Sequence, residues 1–197
     1  MNIEITKLSQ EHLPLVDAFT CVENNEQLAG HNSKTRRRII NHSKEMDDFL
    51  KDEAYEEQDK NLNVTYLFVD EDNNQIAGYV SLCSDCIKLE SEEKDQLELS
   101  YTTIPAIKIA RLAVNNQYKG KGLGKTLIKF SAYIANKVQS ICGLVFLTLD
   151  CYEHRLSFYE KNGFVKNSIQ PIQLPYDSPI SMRILLSDYL DTIEDDI

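Results

Sequence analysis

Gly120, Gly122 and Gly124 sit at alternate positions among Lys119, Lys121 and Lys125, a pattern suited to holding an anion. The run before them, Ile107–Val114, alternates like a strand, and residues 126–135 after them carry apolar side chains at helical spacing. Strand, glycine turn and helix together aim several backbone N–H groups at a phosphate. Glycine reaches backbone conformations closed to other residues and leaves no side chain in the path of an anion. The competing reading is a tight strand-to-helix turn that binds nothing. Charge weighs against it, because extra cations at a helix N-terminus oppose the helix dipole unless an anion offsets them.

Spacing excludes two nucleotide loops. A P-loop needs Gly, four residues, then Gly-Lys-Ser/Thr. Gly124-Lys125-Thr126 has that ending, but position 119 is Lys rather than Gly. The fingerprint Gly-x-Gly-x-x-Gly fails as well, since a match from Gly120 and Gly122 requires glycine where Lys125 stands.

In the register Lys119-Gly120-Lys121-Gly122-Leu123-Gly124 the loop resembles the acetyl-CoA loop of the GNAT superfamily of N-acetyltransferases, which reads Gln/Arg-x-x-Gly-x-Gly/Ala. Lys119 stands where that family has Gln or Arg. Arg111-Leu112-Ala113-Val114 is similar to the end of the family's fourth strand, and Ser157-Phe158-Tyr159-Glu160-Lys161-Asn162-Gly163-Phe164 is similar to its Phe-Tyr-Glu-Lys-x-Gly-Phe signature. The resemblance implies a GNAT fold: an α/β protein with a mixed central sheet flanked by helices. It implies a single domain over 1–197, with the acetyl-CoA-binding part at about 107–165. Acetyl-CoA would be the acyl-donor co-substrate, with no metal. Its contacts would come from Leu112, Ala113, Val114, Lys119, Gly120, Lys121, Gly122, Leu123, Gly124 and Lys125. The N–H of Val114 would polarise the thioester carbonyl, and Tyr159 would face the sulfur. One departure is Tyr152, which replaces the family's Asn seven residues before that tyrosine.

Acetyl transfer to an amine needs a neutral amine, a polarised carbonyl and a proton for the leaving thiolate. A thiol with a pKa of about 8.5 leaves readily, so one nearby hydroxyl is sufficient help. Tyr159 is the candidate acid, and the bland reading is a packing tyrosine on an amphipathic helix. The family's Glu on the fourth strand is absent, since that stretch reads Ile109-Ala110-Arg111-Leu112. Asp150 is the preferred general base over Glu153, although acids there also serve as helix caps. The expected activity is acetylation of a primary amine, on a small molecule or a protein, by direct attack in a ternary complex. Phe49–Ala54, Gly78–Leu82, Arg111–Val114 and Phe158-Tyr159 also resemble toxins of the family that acetylate aminoacyl-tRNA. A silent acyl-CoA-binding module is the alternative from another class.

A net charge of −10 repels nucleic acid unless cations cluster locally. Lys34, Arg36, Arg37 and Arg38, with Lys44 beyond, form one such cluster in a helical segment from Asn32 to Asp52. It reads either as a solvated face or as a docking patch for phosphate or an acidic partner, so nucleic acid in general is disfavoured while tRNA stays open. A homodimer is compatible with the pattern. No apolar run reaches the roughly 20 residues of a membrane span. The first residues lack the basic-then-apolar form of a signal peptide, so a cytoplasmic protein is expected. Five cysteines, mostly in apolar runs, read as buried free thiols of a reducing compartment. Cys83 and Cys86 are three apart on a strand and point to opposite faces, which is weak evidence for metal.

The expected elements run in order from a strand at Ile3–Leu8, capped into a Glu11–Phe19 helix by Ser9, to a helical stretch within 21–62 that includes Arg36–Ala54. A hairpin of Val64–Asp70 and Gln75–Leu89 follows, then a loop at Glu90–Leu97. After Ile107–Val114 come a Gly122–Gln139 helix, a Gly143–Leu149 strand and a His154–Lys161 helix stopped by Asn162-Gly163. Phe164–Asn167 and Ser181–Leu186 close the chain as a hairpin, with Pro171, Pro175 and Pro179 in the connection and an acidic tail at Asp188–Asp196.

Overall fold

The computed structural model describes residues 2–171, 178–187 and 189. Among the described residues, β1 (Ile3–Lys7), β2 (Val64–Asp70), β3 (Gln75–Lys88), β4 (Thr103–Val114), β5 (Phe146–Cys151), β6 (Val165–Lys166) and β7 (Ile180–Leu185) form one mixed sheet in the order β1-β2-β3-β4-β5-β7-β6. Strands β4 and β5 pair in parallel, and β1–β2, β2–β3, β5–β7 and β6–β7 are antiparallel. This is the mixed α/β architecture expected of the chain. Two compact units share β3 and β4: residues 1–82 with 111–127, and residues 83–110 with 128–197.

In the first unit, β1 (Ile3–Lys7) pairs with β2 (Val64–Asp70) from Ile3 opposite Asp70 to Lys7 opposite Tyr66. Ser9 takes the extended N-cap conformation, and its N–H donates to His12 Nδ1 at 3.1 Å. The expected Glu11–Phe19 helix is cut down to a 3-10 turn at Gln10–His12 and the four residues of α1, Leu13–Val16. Pro14 has no N–H to give to the preceding turn. Downstream, Thr20 and Cys21 are drawn off to bond Asp47. The next helical run extends past both ends of the expected Arg36–Ala54, in three consecutive pieces. Asn32 caps α2 (Ser33–Asp48) by accepting the Thr35 N–H at 2.9 Å. The chain then widens into a π turn at Phe49–Glu53 before α3 (Ala54–Asp59). Tyr79, fully buried in β3 (Gln75–Lys88), donates its hydroxyl to the Met46 carbonyl at 2.8 Å, engaging a helix acceptor just before that widening. Phe19, Phe49, Leu50, Ala54, Leu67 and Ile76 surround Tyr79 in the core.

In the second unit, the acidic stretch expected as a loop is the short helix α4, Ser91–Gln96. Its first turn carries Glu92 and Glu93, where the helix dipole favours carboxylates. A partly buried ion pair from Glu93 to Arg183 holds it down. The Arg183 guanidinium also lies over the Phe146 ring, 5.5 Å from its centroid, and donates to Asn167 Oδ1 at 2.9 Å. Strand β4 (Thr103–Val114) begins four residues before the expected start, running through Pro105, whose carbonyl accepts the Val145 N–H. Strand β5 (Phe146–Cys151) starts later than expected, because Gln139 Nε2 holds the Leu144 carbonyl at 2.7 Å. Helices α5 (Leu123–Gln139) and α6 (Glu153–Glu160) lie within a residue of expectation.

Strands β6 (Val165–Lys166) and β7 (Ile180–Leu185) form the closing antiparallel pair, Val165 opposite Arg183. Pro175 and nearly all of the acidic tail lie outside the described residues. None of the five cysteines is in a disulfide, and only Cys21 and Cys151 are buried. Cys86, at the polar end of β3, and Cys142, in the turn after α5, are exposed.

Gly163 stops α6 at φ +88°, and a Cβ there would lie 2.9 Å from Ile184 Cδ1. Gly163→Ala should therefore cost about 1–3 kcal/mol of stability. For a chain of this size that lowers Tm by roughly 2–4 °C per kcal/mol. An unchanged melting curve would mean the turn relaxes without strain.

Candidate functional site

The glycine loop is built entirely within the first unit. Asn115 ends β4 and is buried. Its N–H donates to the Ala77 carbonyl at 2.9 Å and its side-chain amide to the Ile76 carbonyl at 3.1 Å, tying the loop's first residue to β3. Its side-chain oxygen caps the one-turn helix Asn116–Tyr118 by accepting the Gln117 N–H. Tyr118 is buried and donates its hydroxyl to Asp70 Oδ2 at 2.8 Å. Anchored on that side, the chain reverses through Gly120 at φ +76° and Gly122 at φ +82°. A Cβ at either position would meet nothing within 4 Å. Both glycines are thus set by backbone conformation and face open space, as a cradle for a ligand requires. Helix α5 starts immediately after them, and its first amides have no acceptor inside the helix.

The three lysines divide into two kinds. Lys121 and Lys125 are exposed, and the Lys121 ammonium lies 5.2 Å from the centroid of the Tyr118 ring. Lys119 turns inward instead. Its ammonium donates to the Cys21 carbonyl and pairs with Glu23 Oε1 at 2.9 Å. The charge expected to face an anion is therefore already matched by the protein, and Lys119 borders the cradle through its backbone.

In the second unit, Tyr159 lies on α6 between two rings that meet it edge-on: Phe158 at 5.0 Å and Phe164 at 5.8 Å between centroids. It is half-buried in surface area, but the dense protein around its hydroxyl desolvates the phenolate and pushes the pKa well above the usual tyrosine value. Neighbouring Cys151 raises it further, and burial pushes that thiol itself up to about 11. Tyr159 is therefore protonated throughout the neutral range. Tyr152, in the place of the family's Asn, is the N-cap residue of α6, and its ring stacks on His154 with centroids 6.1 Å apart.

A family model for the acetyltransferase (GNAT) domain matches residues 63–166, just over half of the chain. The chain belongs to the GNAT acetyltransferase family. Solved structures carry the likeness over the whole length. AtaT complexed with acetyl-methionyl-tRNAfMet superposes with a TM-score of 0.75 at 16% identity, covering 98% of this chain and 99% of that one. A tyrosine-to-phenylalanine mutant of KacT gives 0.74 at 17% identity, over 98% and 99% of the two chains. A mutant of the AtaT toxin bound to the C-terminus of the antitoxin AtaR and acetyl-CoA gives 0.65 at 16%, over 98% of both. At such identities these likenesses establish the fold.

The ten expected cofactor contacts of this GNAT chain, from Leu112 to Lys125, fall in the first unit, and Tyr159 and Asp150 fall in the second. Asp150 is the penultimate residue of β5, opposite Ser181, and its Oδ2 is paired with Lys108 Nζ at 2.5 Å. Glu153, the runner-up, is an exposed first-turn residue of α6. Sequence reasoning missed the residues that set the loop: Asn115, Tyr118, Asp70 and Glu23. The signal for Asn115 was present, since Asn directly after a strand often caps a turn; the distant partners left none. Among the described residues no group of three or more His, Cys, Asp or Glu is arranged to hold a metal ion. No helix among them is long and apolar enough to cross a membrane.

The Asp70 anchor makes the loop acid-sensitive. Hydrogen bonds from Asn73 and then Tyr118 hold the Asp70 carboxyl below its ordinary range. A carboxylate lowered on folding stabilises the protein above its unfolded pKa of about 3.9. That contribution is lost as pH falls through the lower folded value. Asp70→Asn should therefore flatten the acid side of the Tm-versus-pH profile below about pH 4. Profiles that run parallel in the variant and the parent would rule out Asp70 as a titrating anchor.

Proposed function

We propose that this GNAT chain moves an acetyl group from acetyl-CoA to a primary amine by direct attack in a ternary complex, on a core spanning about 107–165. The observation that carries this reading is the open, positive-φ turn at Gly120 and Gly122, directly before the first amides of α5. A diphosphate fits that cradle in charge and donor type. The amides of Gly120, Lys121, Gly122, Leu123 and Gly124 receive the pyrophosphate, Lys121 and Lys125 add positive charge, and Lys119 borders the turn. The backbone of Leu112 and Ala113 lies along the pantetheine arm, and the Val114 N–H polarises the thioester carbonyl.

The amine nitrogen attacks the carbonyl carbon, forming the C–N bond, and the C–S bond breaks as the tetrahedral intermediate collapses. The nitrogen sheds one proton and the sulfur gains one, so the reaction balances without a further reactant. Tyr159 donates to the sulfur. A phenol raised above its usual pKa is a weak acid beside a thiol of about 8.5. Its contribution is therefore a hydrogen bond to the developing thiolate, and the proton that the nitrogen sheds ends on the sulfur. Asp150 accepts the amine's proton in this reading.

A second reading names the acceptor as the amine of an aminoacyl-tRNA. It is supported by the full-length likeness to AtaT, which extends over residues 21–62, outside the matched family segment. The basic turns of α2 point the same way, with Arg37 exposed and Arg36 half-buried, its Nε donating to the His31 carbonyl at 2.8 Å. The test is to incubate the protein with acetyl-CoA and either a panel of small primary amines or charged tRNA, and to detect acetylated product by mass spectrometry. Product on small amines supports the first reading, and product on charged tRNA alone supports the second. Acetyl-CoA binding with product in neither would contradict both and leave a silent module.

A further inference from the structure

The glycine loop is fixed to the rest of the first unit in two directions. Asn115 and Tyr118 tie it to β3 and the end of β2. Lys119 ties it to the segment 20–23, to which the Asn116 N–H also donates, at the Thr20 carbonyl. That segment is held by α2. Asp47 accepts from the Thr20 hydroxyl at 2.7 Å and the Cys21 N–H at 2.8 Å, and the Ser43 hydroxyl donates to Glu23 Oε2 at 2.6 Å. Glu23, Ser43 and Asp47 are each more than nine-tenths buried. A carboxylate so far from water is costly unless it is paired, so the chain keeps Glu23 for a partner worth that cost. Its partner is the first residue of the cradle.

We propose that Glu23 is a positioning residue for the acyl-donor loop: by holding the Lys119 ammonium against the Cys21 carbonyl, it keeps the 119–122 turn in the binding-competent conformation. The proposal rests on the reading of that loop as the acetyl-CoA cradle. Helix α2 thereby sets the donor loop, because its Ser43 and Asp47 hold the segment that Lys119 grips. Lys119 contributes by its tether rather than by its charge toward phosphate.

The size of the effect follows from population. If loss of the tether leaves about one loop in ten competent, the apparent Kd rises about tenfold. Calorimetric titration of acetyl-CoA into the parent, Glu23→Gln, Lys119→Met and the double variant tests this, with thermal melting to confirm folding. The expected result is about tenfold weaker binding in each single variant and no further loss in the double, with the catalytic cost of Glu23→Gln appearing in KM for acetyl-CoA. Lys119→Met keeps the test decisive if Glu23→Gln does not fold. Tighter binding in Glu23→Gln would make Lys119 a phosphate ligand that Glu23 restrains, and would overturn the proposal. So would a lower Tm with unchanged affinity, or losses that add in the double variant. Failure of the parent itself to bind acetyl-CoA would instead remove the cradle reading and this inference with it.

Discussion

Replacing Tyr159 with Phe should lower turnover by about 10²–10⁴-fold and leave acetyl-CoA affinity almost unchanged. The substitution removes one oxygen and keeps the ring that Phe158 and Phe164 meet edge-on, so packing is conserved. Burial keeps the Tyr159 hydroxyl protonated through the neutral range, so the parent always presents a donor and the variant never does. The interaction lost forms only as the sulfur gains negative charge, so the defect belongs in kcat rather than in ground-state binding. Steady-state kinetics together with a direct binding measurement separate the two. Unchanged turnover would make Tyr159 a packing residue, and a matching loss of affinity would make it a cofactor contact.

Gly122→Glu should abolish measurable acetyl-CoA binding. Gly122 sits at φ +82°, where a residue with a Cβ costs about 1–2 kcal/mol. The carboxylate would add repulsion toward a bound diphosphate of about 3 kcal/mol at 5 Å, taking an effective dielectric constant of about 20. Together these predict a loss beyond about a thousandfold. Gly122→Ala carries the strain without the charge, and nothing lies within 4 Å of its Cβ, so its loss should stay near tenfold. Equal losses in the two variants would mean that backbone shape alone matters there and that no anion is held.

Local chemistry was readable in the sequence; pairings between distant residues were not. The helix α5 directly after Gly120 and Gly122, the β2–β3 hairpin across Asp70–Asn74 and the stop of α6 at Gly163 each depend on residues within one turn of one another. Helix α4 was hidden because its acidic composition suits a surface loop, and the contact that holds it down, Glu93 with Arg183, spans 90 positions. The same holds in the site. Lys119 reads in isolation as a cation beside an anion cradle, and Glu23, 96 positions away, changes its role. Asp150 reads as a free carboxylate at a strand end until Lys108, its ion-pair partner from β4, is placed beside it. The glycines needed no such partner, because what they contribute is backbone conformation.

Calorimetric titration of the purified protein with acetyl-CoA, CoA and ATP decides whether the glycine loop holds an acyl donor. Both CoA species should bind, with an affinity of the order of micromolar, and ATP should not, since the loop matches neither nucleotide spacing. Failure to bind either CoA species, or equal binding of ATP, would contradict the acetyl-CoA cradle and the acetyl transfer built on it.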